Sequence, residues 1–499
     1  MDRKIRIILA AIFFVCITLL FLDFTGTLHQ WLGWMAKIQF VPAVLAFNVG
    51  VIVLLLALTL IFGRVYCSVI CPLGVMQDII SWISGKRKHK SRRFNYTHEI
   101  KWLRYGMLVI FIALLIAGIN SVALLIAPYS AYGRIASEIF APVYAWGNNI
   151  LAYLAERAGS YAFYEKEVWI KSVSALAVAA ATLIIIAVVA WKWGRAYCNT
   201  ICPVGTFLGL FSRFSLFRPV INLDKCVNCH LCEHKCKASC IDSQNKKIDY
   251  SRCVACMDCI DNCSAGAITY SRYKKSASCT DSAKTAPKTP DKGRRGFVSA
   301  SLMTAAALTV KAQEQKVDGG LAAIEKKKVP ARNTHIVPPG AAGIRNFARH
   351  CTACQLCVSV CPNDVLRPAT DLMRLMQPEV SYEKGYCRPE CTKCSEVCPT
   401  GAIRPISREE KSSIQIGHAV WIAENCLVLS DGVRCGHCAD KCPAGAIQML
   451  ETEIGGHGRH RIPVVNEEKC IGCGTCENLC PARPFSAIYV EGHEVHRTI

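Results

Sequence analysis

Four apolar stretches, six cysteine quartets and a repeated C-x3-C-P frame predict the fold class: an all-α membrane four-helix unit followed by α+β ferredoxin-like [4Fe-4S] modules, a two-cluster module inside and a four-cluster module at the C-terminus. The 499 residues divide accordingly. Residues 1–205 make the four-helix domain with two C-x3-C-P motifs, and 206–273 the cytoplasmic two-cluster domain. Residues 274–345 are a linker with a twin-arginine segment, and 346–499 the four-cluster domain.

The apolar stretches run over 7–24, 41–62, 105–127 and 173–191, each near the ~20 helical residues that cross a bilayer. Between the second and third lie Arg64, Lys86, Arg87, Lys88, Lys90, Arg92, Arg93 and Lys101. The 25–40 loop has only Lys37, and the 129–168 loop balances Arg134, Arg157 and Lys166 against acids. Basic residues stay inside, so both ends of the four-helix unit are expected in the cytoplasm. Trp31, Trp34, Trp146 and Trp169 then fall at the outer face, as interfacial anchors or as the wall of a quinone pocket. Anchoring is the expected role.

The frame GR-x-YC-x2-ICP-x-G occurs twice, at Gly63–Gly74 and Gly194–Gly205, where the second and fourth stretches end. A duplicated helix pair would bring Cys67, Cys71, Cys198 and Cys202 together at the cytoplasmic face. Four thiols there suit a further metal centre or redox-active dithiols, against the plainer reading of cysteines packing a turn. Arg64 and Arg195 either meet lipid headgroups or face an anionic group.

Twenty-four of the 31 cysteines fall into the six quartets. Three close thiolates with a fourth nearby are what a [4Fe-4S] cube requires, so six cubes are expected. The first two quartets are Cys226, Cys229, Cys232, Cys236 and Cys253, Cys256, Cys259, Cys263. In two-cluster ferredoxins the fourth cysteine of each run ligates the other cube. One cube therefore takes Cys226, Cys229, Cys232 and Cys263, and its partner takes Cys253, Cys256, Cys259 and Cys236. The remaining four are Cys351, Cys354, Cys357, Cys361; Cys387, Cys391, Cys394, Cys398; Cys426, Cys435, Cys438, Cys442; and Cys470, Cys473, Cys476, Cys480. Each of these four ends in Cys-Pro, and the Cys387 and Cys426 runs have a displaced first cysteine. His437 reads as a polar neighbour that tunes a cube, and Cys16, Cys240 and Cys279 fall outside every frame.

Composition excludes several classes. Disulfide frameworks belong to small secreted scaffolds, whereas these spacings are cluster spacings. The formal charge of +21 is largely offset by cluster thiolates, roughly two negative charges per oxidised cube. No aromatic-interleaved basic patch supports nucleic-acid binding. No molybdopterin, flavin or nucleotide fingerprint appears.

The linker carries Gly293-Arg294-Arg295-Gly296-Phe297-Val298, followed by a mild apolar run over 297–310 closed by Lys311. That run is short for a span and reads as the h-region of a twin-arginine export signal, the route taken by folded, cofactor-loaded domains. The 346–499 domain is accordingly expected in the periplasm.

With these motifs in place, residues 1–273 resemble the NapH/MauN-type membrane ferredoxins. Residues 292–490 resemble the NapG-type four-cluster proteins, including His335-Ile336-Val337-Pro338-Pro339-Gly340-Ala341 ahead of the first quartet. The resemblance implies a fusion of the two, set in a bacterial inner membrane. It implies electrons taken from membrane quinol and passed to a periplasmic reductase or cytochrome acceptor, such as a nitrate reductase system. Quinol oxidation is then expected within the four-helix unit near the C-x3-C-P pairs, with the cubes as the path. The other reading is a maturation factor whose C-x3-C-P pairs reduce a metal or dithiol.

Overall fold

The computed structural model describes residues 3–23, 26–86, 94–160, 162–272, 327–453 and 459–499. The twin-arginine segment with Arg294 and Arg295, the apolar run 297–310 and Cys279 lie outside the described residues.

Two helices, Arg3–Leu22 and Val173–Trp193, are long and apolar enough to cross a membrane. At ~1.5 Å per residue they reach about 30 Å, the thickness of a bilayer core. Their apolar side chains point outward as well as in: Ile8, Ile12, Val15, Ile185 and Val188 are all exposed. Such a face needs apolar surroundings.

The other two stretches depart from the expected continuous spans. The second breaks into Phe40–Leu45 and Val49–Phe62. Phe47 takes a left-handed backbone (φ 51°), and the Asn48 side chain caps the next helix by accepting from the Val51 N–H at 3.3 Å. The third stops after Lys101–Ile116, with Gly118 left-handed at φ 78°. Of the four spans expected, two are therefore continuous and two are interrupted, with helices of 14 and 16 residues. Asn and Gly stop signals are invisible to a hydropathy average. The 129–168 segment is mostly helical: Pro128–Ile135 runs through a π-helical turn, Ala136–Phe140, into Ala141–Arg157.

The 217–272 module packs at the Arg3 end of the first helix. Its antiparallel pair, Phe217–Ile221 with Ile268–Arg272, is short and local. Arg3 bridges Asp258 at 2.8 Å and Asp261 at 2.9 Å. The Tyr270 hydroxyl donates to the Phe62 carbonyl at 2.8 Å, and Phe217 stacks between Phe62 and Tyr270.

The 327–499 module meets the other end of that helix. The Asn120 amide donates to the Ala348 carbonyl at 3.1 Å, Ser121 to the Met373 carbonyl at 3.1 Å, and Lys171 to the Val358 carbonyl at 2.8 Å. Gly133 lies against the Cys354 carbonyl so closely that a Cβ would overlap it. Within this module Ile414–Trp421 pairs antiparallel with Ile488–Thr498, and Ile447–Glu453 with Arg459–Val465. The two modules thus occupy opposite ends of a membrane-length helix.

Trp31, Trp34 and Trp146 are exposed, as anchors would be. Trp169 departs from that expectation, because the Arg367 guanidinium sits over its ring at 4.3 Å and ties it to the 327–499 module.

Candidate iron-sulfur centres and a buried thiol quartet

None of the described cysteines is in a disulfide. Four cysteine-lined cradles group them across the runs. One is lined by Cys226, Cys229, Cys232 and Cys263. In the 327–499 module the same exchange recurs. Cys387, Cys391 and Cys394 face Cys361; Cys426, Cys435 and Cys438 face Cys480; and Cys470, Cys473 and Cys476 face Cys442. The remaining thiols fall together in the same way: Cys253, Cys256 and Cys259 with Cys236, and Cys351, Cys354 and Cys357 with Cys398.

The backbone around these thiols fits a cube. In four runs the residues just before and after the second cysteine are left-handed: Asn228 and His230, Ala255 and Met257, Ala353 and Gln355, Gly472 and Gly474. Six of the eight carry a Cβ, so the conformation is strained, and strain of this kind collects at functional sites. It curls the chain so that the thiols of a run line one cradle, as in those of Cys226 and Cys470. Backbone N–H groups also donate to sulfur: Ala353 to Cys351 at 3.4 Å, Ala267 to Cys263, Ala446 to Cys442 and Ala487 to Cys480, each at 3.3 Å. Donors of this type stabilise a thiolate and tune its cluster. Burial pushes the bare Cys387 thiol up to about 11, against the pull of the Lys411 ammonium beside it. Iron binding supplies the positive charge that such a site lacks.

The cradles follow one another. The Cys354 loop abuts Gly133 at the helical unit. The Cys387 N–H donates to the Cys473 carbonyl at 2.9 Å, joining the second cradle to the one around Cys470. The Cys426 cradle shares its runs with that one. His437 lines it alongside the cysteines.

The C-x3-C-P pairs meet as a pseudo-twofold site. Cys67, Cys71, Cys198 and Cys202 are all buried in one cluster. Arg64 crosses to the Cys198 carbonyl at 3.1 Å and lies 3.8 Å from the Cys67 sulfur. Arg195 crosses to the Cys67 carbonyl at 2.8 Å and lies 3.8 Å from the Cys198 sulfur. Both arginines are fully buried, which overturns the lipid-headgroup reading. Gln77 adds an amide at 3.4 Å from the Cys198 sulfur. Among the described residues, no three His, Cys, Asp or Glu side chains converge on a single metal ion, these thiols included.

The glycine that closes each frame makes the crossing fit. A Cβ on Gly74 would stand 2.3 Å from the Cys67 carbonyl and 2.7 Å from Arg195; on Gly205, 2.2 Å from the Cys198 carbonyl and 2.6 Å from Arg64. Gly74→Ala and Gly205→Ala are each expected to lower stability by about 1–3 kcal/mol, the cost of overpacking. Gly106→Ala, in a helix with nothing within 4 Å, is expected to raise it by about 0.4–1 kcal/mol. Chaotrope unfolding in detergent checks the contrast, and equal effects at all three positions would contradict the paired site.

Cys240, expected outside every frame as a buried or free thiol, is buried, and its sulfur lies 3.6 Å from that of Cys236.

Residues 44–91 and 175–222 match the 4Fe-4S binding domain family, and both matches contain a C-x3-C-P pair. Residues 433–483 match the 4Fe-4S dicluster domain family. Among curated proteins, the chain is 34% identical over 209 residues to the ferredoxin-type protein NapG of Escherichia coli, covering 38% of this chain and 82% of that protein. It is 33% identical over 165 residues to the methylamine utilization ferredoxin-type protein MauM of Methylobacillus flagellatus, covering 32% of this chain and 70% of the relative. It is also 28% identical over 189 residues to the methylamine utilization ferredoxin-type protein MauN of Paracoccus denitrificans, covering 38% and 53%. No solved structure matches.

Proposed function

Since the chain belongs to the NapG and MauM family of ferredoxin-type iron-sulfur electron-transfer proteins, we propose that it is a membrane-bound conduit of the quinol-dehydrogenase type. It would sit in a bacterial cytoplasmic membrane, oxidise quinol, and deliver electrons to a periplasmic reductase or cytochrome, such as a nitrate reductase system. The observation that carries this reading is the placement of two cysteine-cradle modules at opposite ends of one membrane-length helix.

Six cubes, held by the cysteine sets grouped above, take and pass single electrons when bound. The protein's own groups hold the thiolates, exclude water and order the cradles from Gly133 outward. The fused two-module architecture, the twin-arginine export of the 327–499 module and a metal or dithiol centre at Cys67, Cys71, Cys198 and Cys202 belong to the same reading. Full-length protein with its clusters, mixed with menadiol, is expected to show reduced-cube EPR signals, and cubes that all stay oxidised would end the conduit proposal. A C-terminal topology reporter is expected to read periplasmic only with a working twin-arginine pathway. A cytoplasmic C-terminus would place every cradle on one side and contradict delivery outside.

A further inference from the structure

Where the 327–499 module meets the Leu22 end of the helical unit, there is a cavity of about 370 Å³. Its walls come from both parts: the π-helical turn Ala136–Phe140, the following helix and the 166–171 segment on one side, and Ser359 and Asp364 on the other. Ser359 lies between Cys357 and Cys361, so the far wall is the loop of the cradle nearest the helical unit. Val143, Trp146 and Ile170 line the cavity and remain exposed, which makes the mouth apolar. Trp146 offers a flat aromatic surface to a planar ring, whereas the Trp169 ring is covered by Arg367 at 4.3 Å and Lys384 at 5.7 Å.

Glu138, 6% exposed, lines the cavity, and its Oε1 has no hydrogen-bond partner among the described residues. A buried carboxylate without a partner is costly, and it marks a functional site more often than a structural one. It stands on a π-helical turn, a local distortion that is frequent at functional sites. By contrast, the thiol quartet is close-packed around two buried arginines.

We infer that this cavity is the quinol oxidation site, with the ring against Trp146, a hydroxyl donating to Glu138 and the isoprenoid tail leaving by the apolar mouth. The inference rests on the quinol-dehydrogenase reading and moves its site from the C-x3-C-P end to the opposite end of the first helix. The stoichiometry is that of quinol going to quinone: two O–H bonds break, two protons and two electrons leave, and no bond forms to the protein. The oxidant would be the single iron-sulfur cube that Cys351, Cys354, Cys357 and Cys398 would hold, taking the two electrons one at a time. Each proton passes to Glu138 and then to water at the mouth, past the exposed carboxylate of Glu167.

Burial pushes the Glu138 carboxyl up to about 7, against the pull of Lys171. The charged groups around it are Lys166, Glu167 and Lys171 on the segment before the last long helix, and Asp364 across the seam. The accepting, ionised form gains population as pH rises through about 7. The rate of cube reduction by menadiol is therefore expected to rise over that window.

The test uses the full-length protein with its clusters in lipid nanodiscs. Glu138→Gln is expected to slow menadiol-driven cube reduction at least ~10-fold above pH 7 and to abolish the rise with pH. Glu138→Asp should keep the rise. Dithionite, which bypasses the site, should give all variants the same EPR spectrum. A photoreactive azidoquinone should label peptides around residues 138–146 and 166–171. Wild-type rates and pH profile in Glu138→Gln would overturn the site while leaving the dehydrogenase reading intact. Labelling around Cys67 or Cys198 instead, or labelling abolished by added phospholipid, would also overturn it. Failure of the wild type to oxidise menadiol would overturn the dehydrogenase reading itself.

Discussion

Replacing Asp78 by asparagine is expected to cost about 3–5 kcal/mol of stability, the loss typical when one partner of a buried ion pair is removed. Asp78, on the helix Pro72–Gly85, receives Arg195 at 2.9 Å, Arg6 at 3.3 Å and Lys237 at 3.4 Å. These three cations come from the second C-x3-C-P repeat, the first helix and the 217–272 module. A neutral amide would strand Arg195, which is fully buried, and loosen all three parts at once. Burial by itself would raise the Asp78 carboxyl, yet Arg195, Lys237 and Arg6 hold it well below the usual carboxylate range. With a folded value below the unfolded one, its contribution is complete above about pH 4 and fades only as pH falls toward the folded value. Chaotrope unfolding at neutral pH checks the effect. A change under about 1 kcal/mol would show that the three cations find other partners.

The second large effect concerns which cysteines share a cube. Cys398→Ser is expected to remove the same EPR signal as Cys351→Ser, and Cys361→Ser the same signal as Cys387→Ser. The exchange follows from Cys398 lying with Cys351, Cys354 and Cys357, and Cys361 with Cys387, Cys391 and Cys394. If each run instead kept its own fourth cysteine, Cys398→Ser would group with Cys387→Ser. Because the Cys351 cradle is the one against Gly133, Cys398→Ser should also cut menadiol-driven reduction of the other cubes by more than ~10-fold, while dithionite still reduces them.

The cysteine runs were legible because a cube imposes its spacing on the chain. Their left-handed turns are readable only in part: Gly472 and Gly474 announce a positive φ, whereas Asn228, His230 and Gln355 adopt it with a Cβ in place. The repeat at Gly63 and Gly194 was equally plain, since each of its residues recurs. The mutual crossing of Arg64 and Arg195 was not, because each one's partner lies more than a hundred residues away. Hydropathy marked four apolar stretches, but Phe47, Asn48 and Gly118 decide where their helices stop.

By itself the sequence determined the ligand chemistry, since thiolate number and spacing are local properties of a cluster-binding chain. It also determined the amount of apolar surface available to face a membrane. Only the tertiary structure decided what depends on distant segments meeting. Asp78 gathers three cations from separate parts of the chain, Cys240 comes beside Cys236, and the Glu138 Oε1 is left without a hydrogen-bond partner among the described residues, in a cavity walled by two modules. A lone acid in a sequence has no sign of its future neighbours, because burial and charge pairing arise only when the chain closes around it.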